Sequence, residues 1–321
     1  MAVNNSLVQR NQKATFSAFL TKDAVKNQIN SIVGGKDGQR FISAIVSAVS
    51  VNPALQECDN STILSGALLG ESLKLSPSPQ LGHYHLVPFN DKKRGKVATF
   101  QLGYKGYIQL AIRSGQYKKL NVMAIKEGEL EFFDPLNEDI KINLMINDWD
   151  AREDAPTIGY YAFFELTNGF RKAIYWSKKQ MEAHADKYSP AFSKEATVVK
   201  NDFGEKTKVS FADYEAGNYD PKDAWMYSSF WYKSFDDMAY KTMLKQLISK
   251  WGIMSTDMQQ AFNSDMSFEN ADGSRNYVET EDDVIDVNPT ESVQSEQEQQ
   301  NESEQAAEPA QDVASALFGN Q

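Results

Sequence analysis

The chain has 321 residues, 41% of them hydrophobic and 24% charged, which is enough apolar material for one large domain or two small ones. Its single cysteine, Cys58, excludes an internal disulfide framework and a cysteine-based zinc cluster. The sequence starts without the pattern of a secretory signal, and no apolar run approaches the ~18 residues of a membrane span. We therefore expect a protein of a reducing cytoplasm that has no membrane contact.

The net charge of −11 combines two regions of opposite character. Residues 265–321 contain fifteen acidic residues and one basic residue, Arg275. Of the 33 Lys and Arg and the 44 Asp and Glu of the chain, 32 and 29 therefore lie in residues 1–264, whose net charge is +3. Because the acidity is a property of the tail, it does not argue against an anionic partner for the body.

We predict two regions, a folded body over residues 1–264 and an acidic disordered tail over residues 265–321. The stretch 270–310 is rich in Glu, Gln, Ser, Asn and Asp, so it cannot bury enough apolar surface to offset its ordering entropy. Beyond it, Val313–Phe318 has apolar residues at helical spacing. This segment is either a short helix that docks on a partner or a frayed terminus.

The body begins with predicted helices, over about residues 15–75. Thr21 is the expected N-cap of a helix that runs to Val33 and ends at Gly34-Gly35. Two more helices are predicted by apolar spacing, over about residues 39–49 and from Asn60 to a point before Ser76.

From Gly82 onward the pattern changes to strands mixed with helices, which form the predicted core over about residues 80–255. Asn168-Gly169 lies between two apolar runs and is a strong signal for a hairpin turn. Because hairpins rather than helical crossovers join the strands, we predict an α+β fold with antiparallel sheets. The predicted strands are 83–89, 96–102, 117–126, 129–133, 157–166 and 170–176. The predicted helices are 104–113, 177–187 and 228–250, and 202–219 is a predicted mobile loop.

One stretch of the core mixes cations with aromatic rings. Residues 92–126 contain no acidic residue and include Phe100, Tyr104, Tyr107 and Tyr117. Phosphates attract cations and unstacked bases stack on flat rings, so this mixture favours single-stranded nucleic acid. The cations are Lys92, Lys93, Arg94, Lys96, Lys105, Arg113, Lys118, Lys119 and Lys126.

Helical spacing sharpens this prediction. Lys105, Gln109 and Arg113 recur every four residues and share one face of the predicted helix, whereas Tyr104 and Tyr107 lie toward another. The same spacing fits a helix with a solvated basic side and a packed aromatic side. In that alternative each tyrosine belongs to the core rather than to a surface that stacks bases.

Two later stretches extend the predicted basic surface. The first lies on the second hairpin and the helix after it, and comprises Arg171, Lys172 and Lys178. The second repeats every four residues in the predicted helix 228–250, and comprises Lys233, Asp237, Lys241 and Lys245. Asp237 between lysines also fits simple ion pairs along a helix, so the second stretch is the weaker signal.

The sequence offers little for catalysis. Gly34-Gly35-Lys36 is the nearest approach to a phosphate-binding loop, but Asp37 stands where Ser or Thr must ligate magnesium. We interpret it as a turn that ends a helix, so ATP-driven strand exchange is not expected. No nucleophile and base pattern supports covalent catalysis, and we predict that the protein is not an enzyme.

Two motifs bear on metal binding. His83 and His85 alternate on a predicted strand without a third ligand nearby, which favours packing or hydrogen bonding. Glu127, Glu129 and Glu131 also alternate, as in a nuclease metal site or, more commonly, a solvated strand face. We expect no cofactor and assign no magnesium site, although a dependence on magnesium stays open.

Several motifs occur together in a fixed order. They are Gly66-Ala67-Leu68-Leu69, Leu73–Pro77, His83–Phe89, Gly103-Tyr104-Lys105-Gly106-Tyr107, Leu110–Gly115 and Asp237–Thr242. In this order and spacing they resemble the RecT family of phage and prophage recombinases over about residues 55–255. The resemblance implies a fold related to the lambda phage Beta protein and to eukaryotic annealing proteins.

The resemblance also implies a function. A protein of this kind binds single-stranded DNA and anneals complementary strands without ATP during phage homologous recombination, as a ring or filament. The implied partners are single-stranded DNA, the annealed duplex, further copies of the chain, a 5′→3′ exonuclease and the host single-strand-binding protein, in the bacterial cytoplasm. The implied DNA contacts are Lys105, Arg113 and Lys241.

Charge, spacing and resemblance together give sixteen candidate DNA-binding residues. They are Lys96, Gln101, Tyr104, Lys105, Tyr107, Gln109, Arg113, Lys118, Lys119, Lys126, Arg171, Lys172, Lys178, Lys233, Lys241 and Lys245. The acidic tail is expected to compete with DNA for this surface. Three alternatives stay open: a protein that protects single strands without annealing them, a metal-dependent nuclease, and a phage structural protein whose basic face is incidental.

Overall fold

A computed structural model describes residues 15–201, 204–270 and 273–278, all within the unit Met1–Thr280. The predicted docking segment 313–318 and most of the acidic tail lie outside the described residues. The helices are α1 Phe16–Leu20, α2 Asp23–Val33, α3 Gly35–Ser50, α4 Pro53–Gln56, α5 Asn60–Ser72, α6 Tyr104–Arg113, α7 Trp149–Asp154, α8 Lys178–Tyr188, α9 Phe211–Glu215, α10 Phe230–Lys233, α11 Phe235–Trp251 and α12 Thr256–Ser264.

The strands form antiparallel pairs throughout the described ranges, which confirms the predicted α+β class. They are β1 Tyr84–Asp91, β2 Gly95–Leu102, β3 Tyr117–Lys126, β4 Leu130–Asp134, β5 Asp139–Ile142, β6 Thr157–Leu166, β7 Arg171–Ser177, β8 Thr197–Asn201, β9 Gly204–Lys208, β10 Ser267–Glu269 and β11 Arg275–Tyr277. A 3₁₀ helix, Pro221–Tyr227, precedes α10.

Helices α1 to α5 enclose the first core. Ile29, Ile45 and Ile63 are fully buried within it, at the apolar spacing that predicted these helices. Gly34 ends α2 at a φ of 81°, as expected. The predicted cap was wrong, since Thr21 is the C-cap of α1 and α2 begins at Asp23.

The first sheet has the strand order β1-β2-β10-β11. Its predicted hairpin is confirmed, and Asp91 shapes the turn by accepting hydrogen bonds from the backbone N–H groups of Lys93 (2.9 Å) and Arg94 (2.7 Å). The strands β10 and β11 extend this sheet, and Phe268 is buried against it. The folded part therefore continues past residue 264, where the predicted tail begins.

The second sheet has the strand order β3-β6-β7. Its β6–β7 turn is confirmed at Asn168-Gly169, where Gly169 has a φ of 89° and the Asn168 side chain accepts from Phe170 N at 2.9 Å. Helices α8 and α11 pack on one face of this sheet. Tyr160, Ala162 and Phe164 point into that core and are fully buried.

Two predictions about the C-terminal half were wrong. Residues 202–219 are not simply a loop, because they include β9 and α9, and Phe211 is buried in an aromatic cluster with Phe192 and Phe235. The predicted helix 228–250 is divided at Ser234, whose φ of −151° and ψ of 61° are not helical. None of the helices in the described ranges is long and apolar enough to cross a membrane.

Candidate nucleic-acid interface

The N-terminal end of α6 lies directly against the backbone that precedes β1. A Cβ atom on Gly103 would lie 2.2 Å from the Gly82 oxygen, and one on Gly106 would lie 2.1 Å from the His83 oxygen. The Gly103 N–H donates to the same His83 oxygen at 2.9 Å. The two glycines are therefore required for close packing, and they fix where Lys105 is presented.

A cavity of about 260 Å³ opens at this helix end. Tyr104 and Lys105 lie in the first helical turn, where backbone N–H groups lack intrahelical partners and the helix dipole favours an anion. The cavity therefore places Lys105 and the first turn of α6 beside polar and aromatic walls, and Asp237 is the acidic side chain in its lining. It is lined by Pro79, Gly82, His85, Gln101, Leu102, Gly103, Tyr104, Lys105, Phe230, Ser234, Asp237, Met238 and Lys241.

Aromatic rings flank this cavity. The Tyr104 ring meets Tyr240 edge-on at 5.5 Å, and His85 lies 5.9 Å from Phe230, which is 40% exposed. Burial, and then Lys241, lowers the pKa of His85 below its ordinary value, so this imidazole is neutral at physiological pH. A neutral ring beside an exposed phenyl group suits an uncharged base better than a phosphate.

A second cavity of about 580 Å³ shares Ser234 and Asp237 with the first. The two cavities adjoin at these shared residues, beside the junction of α10 and α11, and we call the surface that they line together the α11 groove. The break at Ser234 creates this junction. The second cavity is lined by Lys126, Ala155, Pro156, Thr157, Lys178, Glu215, Tyr232, Ser234, Phe235, Asp236 and Asp237.

Some charged side chains of the α11 groove already have an ion-pair or hydrogen-bond partner within the protein, and others have none among the described residues. Lys178 pairs with Glu215 at 2.7 Å, and Asp236 accepts a hydrogen bond from the Tyr160 hydroxyl at 2.6 Å. Within the described part of the chain, Lys105 and Lys126 have no acidic side chain within ion-pairing distance. These two lysines are therefore the groove cations most able to meet a phosphate.

Lys241 lines the groove but is held by a buried partner. Its Nζ lies 2.9 Å from Asp265 Oδ1, and that carboxylate also accepts from Leu102 N (2.8 Å) and the Tyr107 hydroxyl (3.1 Å). Tyr107 is fully buried, edge-on to Phe262. Tyr107 is therefore a core residue rather than part of the candidate interface, and Lys241 supports the groove through its ion pair.

Three other candidates on α6 and β2 lie outside the groove. Arg113 donates to the backbone oxygens of Leu73 (2.5 Å) and Lys74 (3.1 Å), where it closes the chain after α5. Lys96 forms an ion pair with Glu57. Gln109 is exposed on α6. The predicted face of Lys105, Gln109 and Arg113 exists, but only its first residue lines the groove.

A separate basic cluster surrounds the Glu165 carboxylate. Lys118 lies 2.5 Å from it, and Lys119 and Arg171 lie 3.8 Å from it. The hydrogen bond from Lys118, and then the charges of all three cations, lower the pKa of Glu165. Lys172, the next residue of β7, is buried instead, with its Nζ 3.7 Å from the centre of the Trp251 ring and paired with Glu138.

The predicted lysine repeat of residues 233–245 is interrupted. The chain leaves helical geometry at Ser234, so Lys233 does not continue the face of α11 that carries Lys241. Lys233 is exposed, whereas Lys245 is half-buried. Of the sixteen candidates, the groove brings together six: Gln101, Tyr104, Lys105, Lys126, Lys178 and Lys241.

The alternating glutamates of residues 127–131 form contacts within the protein. Glu129 is fully buried and accepts from Arg152 Nε (2.6 Å), Lys126 N (2.8 Å) and Met145 N (3.1 Å). Glu131 pairs with Lys141. His83 Nδ1 accepts from Ser76 N at 3.2 Å. Within the described ranges no cluster of three potential metal ligands is found, so the nuclease alternative gains no support from these residues.

Sequence reasoning missed His85, Phe230 and Ser234 as groove residues. The alternation of His83 and His85 indicates packing, hydrogen bonding or a metal pair but no contact with DNA, and the predicted helix 228–250 contains Phe230 without a break. The available signal was the pair Ser228-Ser229 before Phe230, since serine is a preferred N-cap residue and Ser229 does cap α10.

Comparison with known proteins identifies the family. The sequence model of the RecT family matches residues 39–285, and the chain belongs to this family. An uncharacterized protein of Bacillus subtilis, YqaK, is 37% identical over 272 residues, covering 81% of this chain and 79% of its own. Protein RecT of Escherichia coli is 27% identical over 252 residues, covering 77% of this chain and 79% of its own.

Proposed function

We propose that this protein holds single-stranded DNA in the α11 groove and anneals it to a complementary strand without nucleotide hydrolysis. Membership of the RecT family assigns the chain to DNA recombination and strand annealing. The observation that carries the finer proposal is the groove itself, because Lys105 lines one of its cavities together with Tyr104 and Phe230, and Lys126 lines the adjoining one.

The mechanism follows from this arrangement. Phosphates would meet Lys105, Lys126 and the first turn of α6, which leaves base edges free to test a second strand. Each correct stack contributes roughly 1–2 kcal/mol, so pairing itself drives the reaction. Gly34 joins two helices rather than a strand and a helix, so it lacks the setting of a phosphate-binding loop for ATP.

Assembly and partners belong to the same proposal. Further copies of the chain would extend the groove into a ring or filament and make binding cooperative. A 5′→3′ exonuclease would supply the single strand, and the host single-strand-binding protein would release it. A DNA substrate of this kind places the reaction in the bacterial cytoplasm. The mechanism itself requires no bound metal, and annealing in the presence of a chelator tests that point.

Charge reversal in the groove tests the proposal. The double variant Lys105→Glu/Lys126→Glu should lose most of its affinity for a labelled oligonucleotide and weaken the salt dependence by about 1.4 in the log–log slope, which corresponds to two lost phosphate contacts. Lys26→Glu, at an exposed position of α2, is the control and should behave like the parent protein. Unchanged binding by the double variant would refute the groove.

A second measurement separates annealing from protection. Two complementary dye-labelled strands are mixed after one has been coated with the protein. An annealing protein accelerates pairing relative to naked DNA, whereas a protein that only protects single strands slows it. Failure to bind any oligonucleotide would favour a structural protein instead.

A further inference from the structure

The sheet β3-β6-β7 has a second face, opposite α8 and α11. Side chains alternate between the faces of a strand, and Tyr160, Ala162 and Phe164 occupy the helix-covered face. Tyr161 and Phe163 must therefore lie on the other face, where both are half-buried. Two large aromatic side chains that stay partly accessible on the face away from the helices are not explained by the core alone.

The strand register shows what this face carries. Three successive cross-strand rows are Lys119–Glu165–Arg171, Asn121–Phe163–Ala173 and Met123–Tyr161–Tyr175. We call these nine residues the outer sheet face. Phe133 of β4 meets Tyr175 edge-on at 5.1 Å, so an aromatic ring also borders the face on the β7 side.

Charge distinguishes one end of the outer sheet face. Three cations surround a single carboxylate there, and the side chains of Lys118, Lys119 and Arg171 are 60%, 63% and 65% exposed. The Arg171 guanidinium lies 5.1 Å from the centre of the Phe163 ring. Cations next to partly exposed rings on a sheet form the combination by which proteins stack unpaired bases and hold their phosphates.

We propose that the outer sheet face is a second surface for single-stranded DNA, separate from the α11 groove, where bases stack on Phe163, Tyr161 and Tyr175 and phosphates meet Lys119 and Arg171. Successive rows on one face are about 7 Å apart, roughly twice the 3.4 Å base spacing of a duplex strand. Bases on neighbouring rings are therefore unstacked from one another. This inference rests on the proposed function, because it gives the incoming strand a place of its own.

The charge argues against a second copy of the chain as the occupant. A face with three cations for one carboxylate would repel the same end of an identical face, and lysine is depleted from the centres of protein interfaces. An anionic polymer with flat, uncharged bases meets both parts of the surface.

The test uses the full chain preloaded with one unlabelled strand, to which a labelled complementary strand is added. The double variant Tyr161→Leu/Phe163→Leu keeps the apolar volume but removes the flat rings. We expect first-strand affinity within about twofold of the parent and a roughly tenfold slower capture of the second strand, which corresponds to about 1.4 kcal/mol. Trp225→Leu, at an exposed aromatic residue that lines neither surface, is the control and should leave both steps unchanged.

The outcomes separate the two proposals. If the parent protein fails to bind the first strand, the proposed function fails. If the parent binds the first strand and the double variant captures the second strand as fast as the parent does, the outer sheet face is refuted. Smaller assemblies by light scattering, with loss of both steps, would show that the face joins copies of the chain and would also overturn the inference.

A second readout does not depend on kinetics. A second strand that carries 5-iodouracil should crosslink on irradiation to peptides that contain Tyr161, Phe163 or Tyr175. Crosslinks confined to peptides of the α11 groove would contradict the proposal.

Discussion

Lys241 Nζ lies 2.9 Å from Asp265 Oδ1, and the carboxylate of this pair is fully buried. The pair joins α11 to the chain that follows α12, and through Leu102 and Tyr107 it also reaches β2 and α6. The floor of the α11 groove is thus tied together by one carboxylate.

Removing the lysine of this pair should destabilise the fold. Lys241→Met leaves Asp265 buried with two neutral donors, and loss of one partner of a buried pair costs about 3 kcal/mol. Urea unfolding monitored by circular dichroism measures the change. The double variant Lys241→Met/Asp265→Leu should recover part of the loss, because no charge is then left unpaired. A change below about 1 kcal/mol for the single variant would show that the pair contributes little.

Gly106→Ala should also destabilise the fold, although a glycine-to-alanine change within a helix ordinarily stabilises it. Alanine in a helix interior is favoured over glycine by about 1 kcal/mol, but here the new Cβ would meet the His83 oxygen at 2.1 Å. We expect a net loss of about 2 kcal/mol from overpacking. The control is Gly38→Ala in α3, where the nearest atom is the movable Asn30 side chain at 3.2 Å. Thermal melting that shows equal effects for both variants would contradict the prediction.

The stability that Glu129 contributes should depend on pH. Burial raises the pKa of this carboxyl, but the hydrogen bonds from Arg152, Lys126 and Met145 outweigh it and hold the pKa below its ordinary value. A carboxyl whose pKa is lowered in the folded state stabilises fully above its unfolded value near 4.3, and the contribution disappears as pH falls through the folded value.

Glu129→Gln should therefore be less stable than the parent protein at pH 7, by about 3 kcal/mol for a broken buried pair. The difference should shrink below roughly pH 4, where the unfolded parent chain takes up a proton at this carboxyl and the folded chain does so only at lower pH. Urea unfolding of both proteins at several pH values measures this. A difference that stays constant down to roughly pH 3 would show that the ionised form of Glu129 is not what stabilises the loop.

Removal of the acidic segment should tighten DNA binding. Residues 279–321 contain twelve acidic residues and no Lys or Arg, and they follow Val278, whose N–H donates to the Met266 oxygen at 2.9 Å. Met266 Sδ lies 3.6 Å from Lys241 Nζ at the groove. A chain that ends at Val278 should bind an oligonucleotide more tightly at low salt and equally at high salt, because the competition is electrostatic.

The position of the truncation matters for this measurement. A chain that ends at Ser264 would also lose Asp265 and the buried Phe268, so we expect it to be destabilised rather than activated. The better control keeps the full length and replaces the acids of 279–312 by their amides. If affinity is the same with and without the charges, the segment does not compete with DNA.

The sequence predicted local features well where local chemistry decides them. The turn at Asn168-Gly169, the strand Tyr117–Lys126 and the helix Tyr104–Arg113 have the expected positions. The strand β10 was missed because its partner β2 lies more than 160 residues earlier in the chain, and a short strand in an acidic stretch has no periodicity to reveal it.

The contrast between local features and contacts distant in sequence also applies to the candidate site. Charge and spacing identify cations but not their partners, and the partners are distant in sequence for Arg113, Lys172 and Lys241. Arg113 binds a backbone carbonyl, Lys241 binds a carboxylate, and Lys172 lies over an indole ring, so all three cations make contacts within the protein. Lys105 and Lys126 do line the groove, near Gly103 and at the end of a strand, and their contact with DNA stays a prediction.

The close packing of Gly103 and Gly106 has a consequence for sequence comparison. These glycines leave room for the backbone oxygens of Gly82 and His83, whereas Lys105 between them lines the cavity. A relative that has lost its affinity for DNA would still need both glycines to fold. The Gly-Tyr-Lys-Gly motif is thus a marker of architecture, and the residue that reports on activity is the lysine inside it.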